Sequence, residues 1–214
     1  GDLPHWLFDP DAIAERGCLE GSATGRGAAS FIRYQDQSLV LRHYWRGGMP
    51  ARFTPDRFLW QGVKRSRVWR EMQLLDTLQR LGLPAPAPVA GRVQRRGMLY
   101  RADLITQRIL DADSLASRLQ SNPSATPWQA IGEVIAAFHL AGVGHADLNV
   151  RNILIDAKDK IWLIDWDQGF IGAGETHQTR SLERLQRSIK KEPALAEHFD
   201  SGWPQLMAGY TAAF

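Results

Sequence analysis

The sequence predicts an α+β fold in two lobes, with a small β-rich N-lobe over about residues 1–106 and a reduced helical C-lobe over about 107–214, together one domain. Three observations predict it. Short apolar runs punctuated by glycine fill the first half. A proline-rich stretch, "LPAPAPVAG" (Leu83–Gly91), divides the chain. Apolar residues then recur at intervals of three and four through much of the second half. A cleft between two such parts is the expected consequence.

The elements follow in order. "GSATGRGAASFIRY" (Gly21–Tyr34) is glycine-rich and then apolar, and "SLVLRHYW" (Ser38–Trp45) reads as a strand ended by Gly47 and Gly48. From about Arg65 to Leu81, Val68, Met72, Leu75 and Leu78 mark a helix that Gly82 and Pro84 stop. The prolines of Leu83–Gly91 make a stiff connector. Val93–Thr106 reads as a hairpin turning near Gly97. Helices are expected at about Ser114–Gln120 and Pro127–Ala141, the second with Thr126 as N-cap, Pro127 at its first position and a stripe of Ile131, Val134, Ile135 and Phe138. A strand Asn152–Asp156, a turn at Lys158–Asp159 and a strand Lys160–Ile164 follow. A basic helix, "SLERLQRSIKK", and a last segment from Pro193 close the chain.

Composition narrows the class. Of 214 residues, 44% are hydrophobic and 23% charged, enough for a core and too little charge for wholesale disorder. The single cysteine, Cys18, excludes an internal disulfide and a Cys-based zinc site and fits a reducing compartment. A net charge of +3 points to anionic partners. No apolar run approaches the roughly 20 residues of a membrane span, so no transmembrane segment is expected. "GDLPHWLFDPD" lacks the pattern of a signal peptide, and the missing initiator Met leaves room for sequence upstream.

The chemistry concentrates in "GHADLNVRNILIDAKDKIWLIDWDQG" (Gly144–Gly169). Transfer of a phosphoryl group needs a carboxylate facing the acceptor hydroxyl and hard oxygen ligands for one or two Mg²⁺. His-x-Asp-Leu-x-x-x-Asn followed by strand, turn, strand and Asp supplies both. Asp147 would face the hydroxyl. Asn152 and Asp165 would hold metal, because the hairpin returns Asp165 to the side of Asn152. Upstream, the glycines at Gly21, Gly25 and Gly27, with Arg26, would let backbone amides cradle phosphates.

Glu71 interrupts the apolar stripe of its helix, and a carboxylate there needs a cation. Arg42 and Lys64 are the two candidates. Basic residues also cluster at Lys64, Arg65, Arg67 and Arg70, at Arg92, Arg95 and Arg96, and at Arg184, Arg187, Lys190 and Lys191. Together they favour an anionic substrate or membrane surface. Trp60, Trp69, Trp128, Trp162 and Trp166 read as core and not as base-stacking platforms, so no nucleic-acid partner is expected.

The segment with Asp147, Asn152 and Asp165 resembles the catalytic loop and metal-binding Asp of protein-kinase-like phosphotransferases. "LVLR" sits where that fold carries V-A-I-K, so Arg42 stands in place of the lysine and Glu71 at its helix glutamate. Fewer than fifty residues follow Asp165, the third position of the motif it opens is Asp167 and not glycine, and no A-P-E occurs, which leaves little room to grip a polypeptide. "LRHYWRGG", "LPAPAPVAGRV", "LYRADLITQRI", "GHADLNVRNILID" and "WLIDWDQG" together resemble the small lipopolysaccharide kinases that act on 3-deoxy-D-manno-octulosonic acid (Kdo). That resemblance implies ATP and Mg²⁺ as cofactors, the 4-hydroxyl of a Kdo sugar on a lipid A precursor as acceptor, and peripheral attachment to an anionic membrane at the cytoplasmic face of the bacterial inner membrane. It implies Asp147 as base, Asn152 and Asp165 as metal ligands, and Gly21, Gly25, Arg26, Gly27, Arg42 and Glu71 around the nucleotide. The alternatives are a heptose kinase, an aminoglycoside-type kinase, and a pseudokinase scaffold suggested by Arg42.

Overall fold

A computed structural model of the chain describes residues 3–23, 29–46 and 56–214. Gly25, Arg26, Gly27, Gly47 and Gly48 lie outside the described residues. The chain forms two compact units, residues 1–76 with 87–108 and residues 77–86 with 109–214.

The first unit is a sheet with a helix. A 3-10 turn (His5–Phe8) and a short helix α1 (Pro10–Glu15) precede it, α1 being capped by the Asp9 carboxylate, which accepts from the Asp11 and Ala12 amides. The strands are β1 (Leu19–Ser22), β2 (Ser30–Tyr34), β3 (Gln37–His43), β4 (Phe58–Leu59), β5 (Pro88–Arg96) and β6 (Leu99–Gln107), all antiparallel where they pair. Their order is β1-β2-β3-β6-β4, with β5 on β6. Leu39 and Leu41 alternate inward on β3 and meet Leu7, Phe8, Ile13, Ile32 and Ile105 in one buried cluster.

Two expectations are corrected here. Gly21 belongs to β1, opposite Phe31 at a bulge, and Ser22 pairs with Ser30, so the turn of this hairpin begins beyond Gly21. The proline-rich stretch is connector only in part. Pro88 opens β5, a position where its missing N–H is tolerated. Gly91 of β5 must be glycine: a Cβ there would sit 2.5 Å from Met72 Sδ and 2.7 Å from Val68 Cγ2. Met72 and Val68 belong to α2 (Arg67–Arg80). The β5–β6 hairpin turns at Gly97, φ 63°, as expected.

The second unit begins in the last turn of α2. Leu83 N–H donates to Leu78 O and Gly82, φ 69°, takes the left-handed conformation of a helix C-terminus. After β6 come β7 (Ala112–Ser114), α3 (Leu115–Ser121), α4 (Trp128–Leu140), β8 (Val143–Gly144), β9 (Ile153–Asp156), β10 (Ile161–Leu163), β11 (Phe170–Ile171), α5 (Glu175–Lys190), α6 (Pro193–Ala196) and α7 (Phe199–Thr211). Helix α4 starts one residue later than expected. Pro127, ψ 65°, is the cap position, and the Thr126 hydroxyl is buried without a hydrogen-bond partner. Trp128 and Trp166 are core as expected, whereas Trp69 is exposed on α2. No helix among the described residues is long and apolar enough to cross a membrane.

Helices α4 and α7 pack at backbone distance through glycine. A Cβ on Gly132 would meet Leu206 O at 1.9 Å, one on Gly209 would meet Gln129 O at 2.1 Å, and one on Gly202 would strike the Trp128 indole at 2.1 Å. Alanine at Gly132 improves helix propensity by about 1 kcal/mol, but overpacking against rigid backbone costs about 3 kcal/mol. Gly132→Ala is expected to lose about 2 kcal/mol of stability. A urea midpoint equal to that of the unchanged protein would show that α7 can back away freely.

Candidate active site

The loop Gly144–Asn152 and the hairpin β9–β10 build the site in the second unit. Two neighbouring groups compete for the imidazole of His145, and both are satisfied. Its Nε2 donates to Ile164 O at 2.9 Å, and its Nδ1 accepts from the Asp147 amide at 3.1 Å. This pattern requires the neutral Nε2–H tautomer. Burial favours it too, pushing the His145 pKa below the usual imidazole value despite the Ile164 carbonyl and the carboxylates of Asp165 and Asp147. The ring lies 4.6 Å from that of Trp166, which stacks at 4.9 Å on Phe138.

The loop backbone is fixed the same way. Asp147 O accepts from Asn152 Nδ2 and from Asn149 Nδ2, both at 2.9 Å. Asn149 Oδ1 accepts from the Arg151 amide at 2.9 Å, and the Val150 amide donates to Ser188 Oγ of α5 at 3.1 Å. His177, also on α5, places Nε2 3.3 Å from His145 O. With its backbone held on every side, Asp147 still turns its carboxylate outward, 67% exposed. Asn149 Nδ2 touches Oδ2 at 3.2 Å.

Asn152 and Asp165 come together through the hairpin. Strands β9 and β10 pair Ile153 with Leu163, and the Ile164 amide then donates to Asn152 O at 3.0 Å. Asp165 follows at φ 63°. For a residue with a Cβ that backbone is costly, and such strain gathers at functional positions. The amide nitrogen of Asn152 is committed to Asp147 O, which leaves its oxygen as the donor for a cation. One amide oxygen and one carboxylate suit Mg²⁺, which commonly takes one or two protein oxygens and completes its shell with phosphate and water. No cluster of three or more His, Cys, Asp or Glu side chains arranged to hold a metal occurs among the described residues.

The first unit carries the other pair. Arg42 Nη2 of β3 makes an ion pair with Glu71 Oε1 of α2, and the Tyr44 hydroxyl donates to Glu71 Oε2 at 2.6 Å. Burial and the Glu71 carboxylate hold the Tyr44 phenol protonated, its pKa well above the ordinary value. Glu71 is therefore paired with Arg42 and not with Lys64, which is exposed in a 3-10 turn (Val63–Arg65). Tyr44 and Ser188 were missed by sequence reasoning. Tyr44 had a signal, since strand alternation puts it on the face of Arg42. Ser188, thirty-eight residues from Val150, had none.

This is the fold of a kinase-like enzyme. Two solved structures match it: WaaP in complex with acyl carrier protein, at TM-score 0.54 and 14% identity over 99% of this chain and 96% of that one, and WbdD with a kinase inhibitor, at TM-score 0.53 and 15% identity over 91% and 45%. The chain belongs to the lipopolysaccharide kinase (Kdo/WaaP) family, whose model matches residues 11–210. It is 39% identical over 190 residues to a 3-deoxy-D-manno-octulosonic acid kinase of Vibrio cholerae (88% of this chain, 81% of the relative) and 43% identical over 211 residues to one of Xanthomonas axonopodis (97% and 84%).

Two predictions follow from this geometry. Arg42→Ala removes the ion pair from the buried Glu71 carboxylate and leaves the Tyr44 hydroxyl on its other oxygen. Losing one partner of a buried pair costs 3–5 kcal/mol, but Arg42 is partly exposed and Tyr44 stays, so about 2 kcal/mol is expected. Glu71→Gln in the same background should recover part of that loss in denaturant melts, and no recovery would mean that the stranded charge is not the cause. The second concerns His139, whose burial depresses its pKa to about 4 and whose Nδ1 lies 2.9 Å from the Tyr210 hydroxyl. A depressed imidazole binds protons better unfolded, so its contribution is intact above about pH 6.5 and is lost as pH falls toward 4. His139→Gln should flatten the fall in urea stability across that window relative to the unchanged protein. Parallel curves would exclude His139 as a source of it.

Proposed function

We propose that this chain transfers the γ-phosphoryl group of ATP to the 4-hydroxyl of a Kdo sugar on a lipid A precursor. The observation that carries the reading is Asp147, a carboxylate turned to solvent by a loop whose backbone groups are tied to His145, Asn152 and Ser188. The Kdo kinases among its relatives support the choice of acceptor.

Asp147 accepts the proton of the acceptor hydroxyl as its oxygen attacks phosphorus and the bond to the ADP oxygen breaks. Holding the carboxylate in place beforehand removes the orientational cost from the barrier. Asn149 Nδ2, 3.2 Å from Oδ2, fixes one oxygen and leaves the other for the hydroxyl. Mg²⁺, held by Asn152 and Asp165, would neutralise charge developing on the phosphates. Arg42, oriented by Glu71, contacts phosphate oxygens with a planar fork where the family pattern has a lysine. Gly25, Arg26 and Gly27, outside the described residues, are the ones the family resemblance assigns to the phosphates. Gly21, a strand residue in β1, positions the chain that leads into them.

Membrane attachment, at the cytoplasmic face of the inner membrane, has a suitable surface on the first unit. A cavity of about 570 Å³ is lined by Arg57, Arg95, Arg96 and Arg101. Met98, 75% exposed at the hairpin tip, and exposed Leu59 lie beside it through the pairing of β4 with β6. Cations around apolar side chains suit an anionic bilayer.

The test is transfer from labelled ATP to a Kdo-bearing lipid A precursor against a heptosylated core, read by mass. Asp147→Asn should lower kcat at least about a hundredfold with ATP affinity nearly unchanged. Asp165→Ala should abolish transfer and weaken Mg·ATP binding in titration calorimetry, and Asn152→Ala should do less because water can replace a neutral ligand. Near-full kcat in Asp147→Asn would remove the base, and normal Mg·ATP use by Asp165→Ala would shift the metal to Asp167.

A further inference from the structure

The catalytic loop has one cation beside it that the chemistry above does not use. Arg184 Nη1 lies 4.0 Å from Asp147 Oδ1. That is an ionic distance but too long for a hydrogen bond, so neither group spends its hydrogen-bonding capacity on the other. Among the described residues Arg184 has no other acidic partner. The neighbouring cations differ: Arg187 pairs with Glu183 and Arg151 with Glu192.

The helix that carries Arg184 is held firmly. Arg184 sits one turn before Ser188, whose hydroxyl accepts from the Val150 amide, and residues four apart share a helix face. Ser181, Leu185 and Ile189 anchor the adjoining face of α5 in the core. The face that carries Arg184 therefore runs along the catalytic loop. One turn earlier it carries Arg180, which lines a cavity of about 530 Å³ with Gly174, Glu175, Thr176 and His177. The guanidinium is 42% exposed and Asp147 is 67% exposed, so an acceptor approaching the base passes the arginine.

We infer that Arg184 is the residue that recognises the carboxylate of the acidic sugar acceptor, and so selects an anionic sugar over a neutral one. The inference rests on the acceptor proposed above. A carboxylate takes a guanidinium fork with two parallel N–H···O bonds, which fixes the sugar ring in orientation as well as in place. No aspartate or glutamate side chain other than Asp147 lies within ion-pair distance of Arg184 among the described residues. Asp147 is itself the base, so binding the substrate carboxylate at Arg184 also draws that positive charge away from it. No bond is made or broken in this step.

The experiment compares two acceptors, the Kdo-bearing lipid A precursor and the same glycolipid with its Kdo carboxyl converted to the neutral amide. Unchanged protein should prefer the acid by ten- to a hundredfold in kcat/KM, about what a charge-assisted pair contributes. Arg184→Gln should raise KM for the acid, keep kcat within a few-fold and erase the preference. Arg184→Lys should recover part of it, keeping charge without the fork. Undiminished preference in Arg184→Gln overturns the inference while leaving the proposed function standing. A fall in kcat alone, with preference kept, also overturns it and makes Arg184 a tuner of Asp147. Failure of the unchanged protein to phosphorylate either acceptor overturns the proposed function and this inference with it.

Discussion

The imidazole of His145 is the joint on which the site depends. It links two stretches that sequence separates, the loop Gly144–Asn152 through the Asp147 amide and the end of the hairpin through Ile164 O. Each contact uses one ring nitrogen, so only a neutral ring with its proton on Nε2 can make both at once. Protonation would turn Nδ1 into a donor facing another donor. Burial between Trp166 and the loop opposes that charge, and the same burial that packs the core therefore sets the hydrogen-bond pattern of the site.

With that joint closed, the rest of the loop has few choices. Its amides and carbonyls are bent away from regular structure and must find partners elsewhere. Asn149 and Asn152 supply two from within the loop, and Ser188 and His177 supply others from α5. Helix α5 can do this because one face is apolar enough to be anchored by Leu185 and Ile189. Fixed backbone is what lets a side chain with no packing of its own, Asp147, keep a defined direction.

Much of this was legible in the sequence, and the limits are physical. The order of strands and helices, the hairpin turn at Gly97 and the return of Asp165 to Asn152 follow from local periodicity and glycine placement. Glu71 announced a partner because a carboxylate in an apolar stripe needs one, and the resemblance to the kinase-like pattern put Arg42 ahead of Lys64. The partners that finish the site were not legible, because they come from elements whose placement is decided by packing. Ser188 and Arg184 look in sequence like surface residues of a basic helix. Thr126 failed as a cap for a local reason, since Pro127 stays outside helical geometry and moves the start by one residue. Trp69 failed as core because α2 buries the stripe of Val68, Leu75 and Leu78 and turns its neighbour outward.

The charges divide into two groups by burial. His139 and His145 are inside and kept neutral, and Glu71 is inside with a cation on one oxygen and a hydroxyl on the other. Asp147, Asp165 and Arg184 are left at least partly open to solvent. A buried ion that changed its charge during a reaction would meet a large desolvation penalty, whereas an exposed one meets little. Separating the two groups means that a change of charge at the exposed carboxylates would leave the framework that aims them undisturbed. Arg42 bridges the groups: its stem and one nitrogen belong to the buried pair, while its side chain remains partly exposed. A guanidinium suits that position, since its planar fork presents N–H donors along more than one fixed direction.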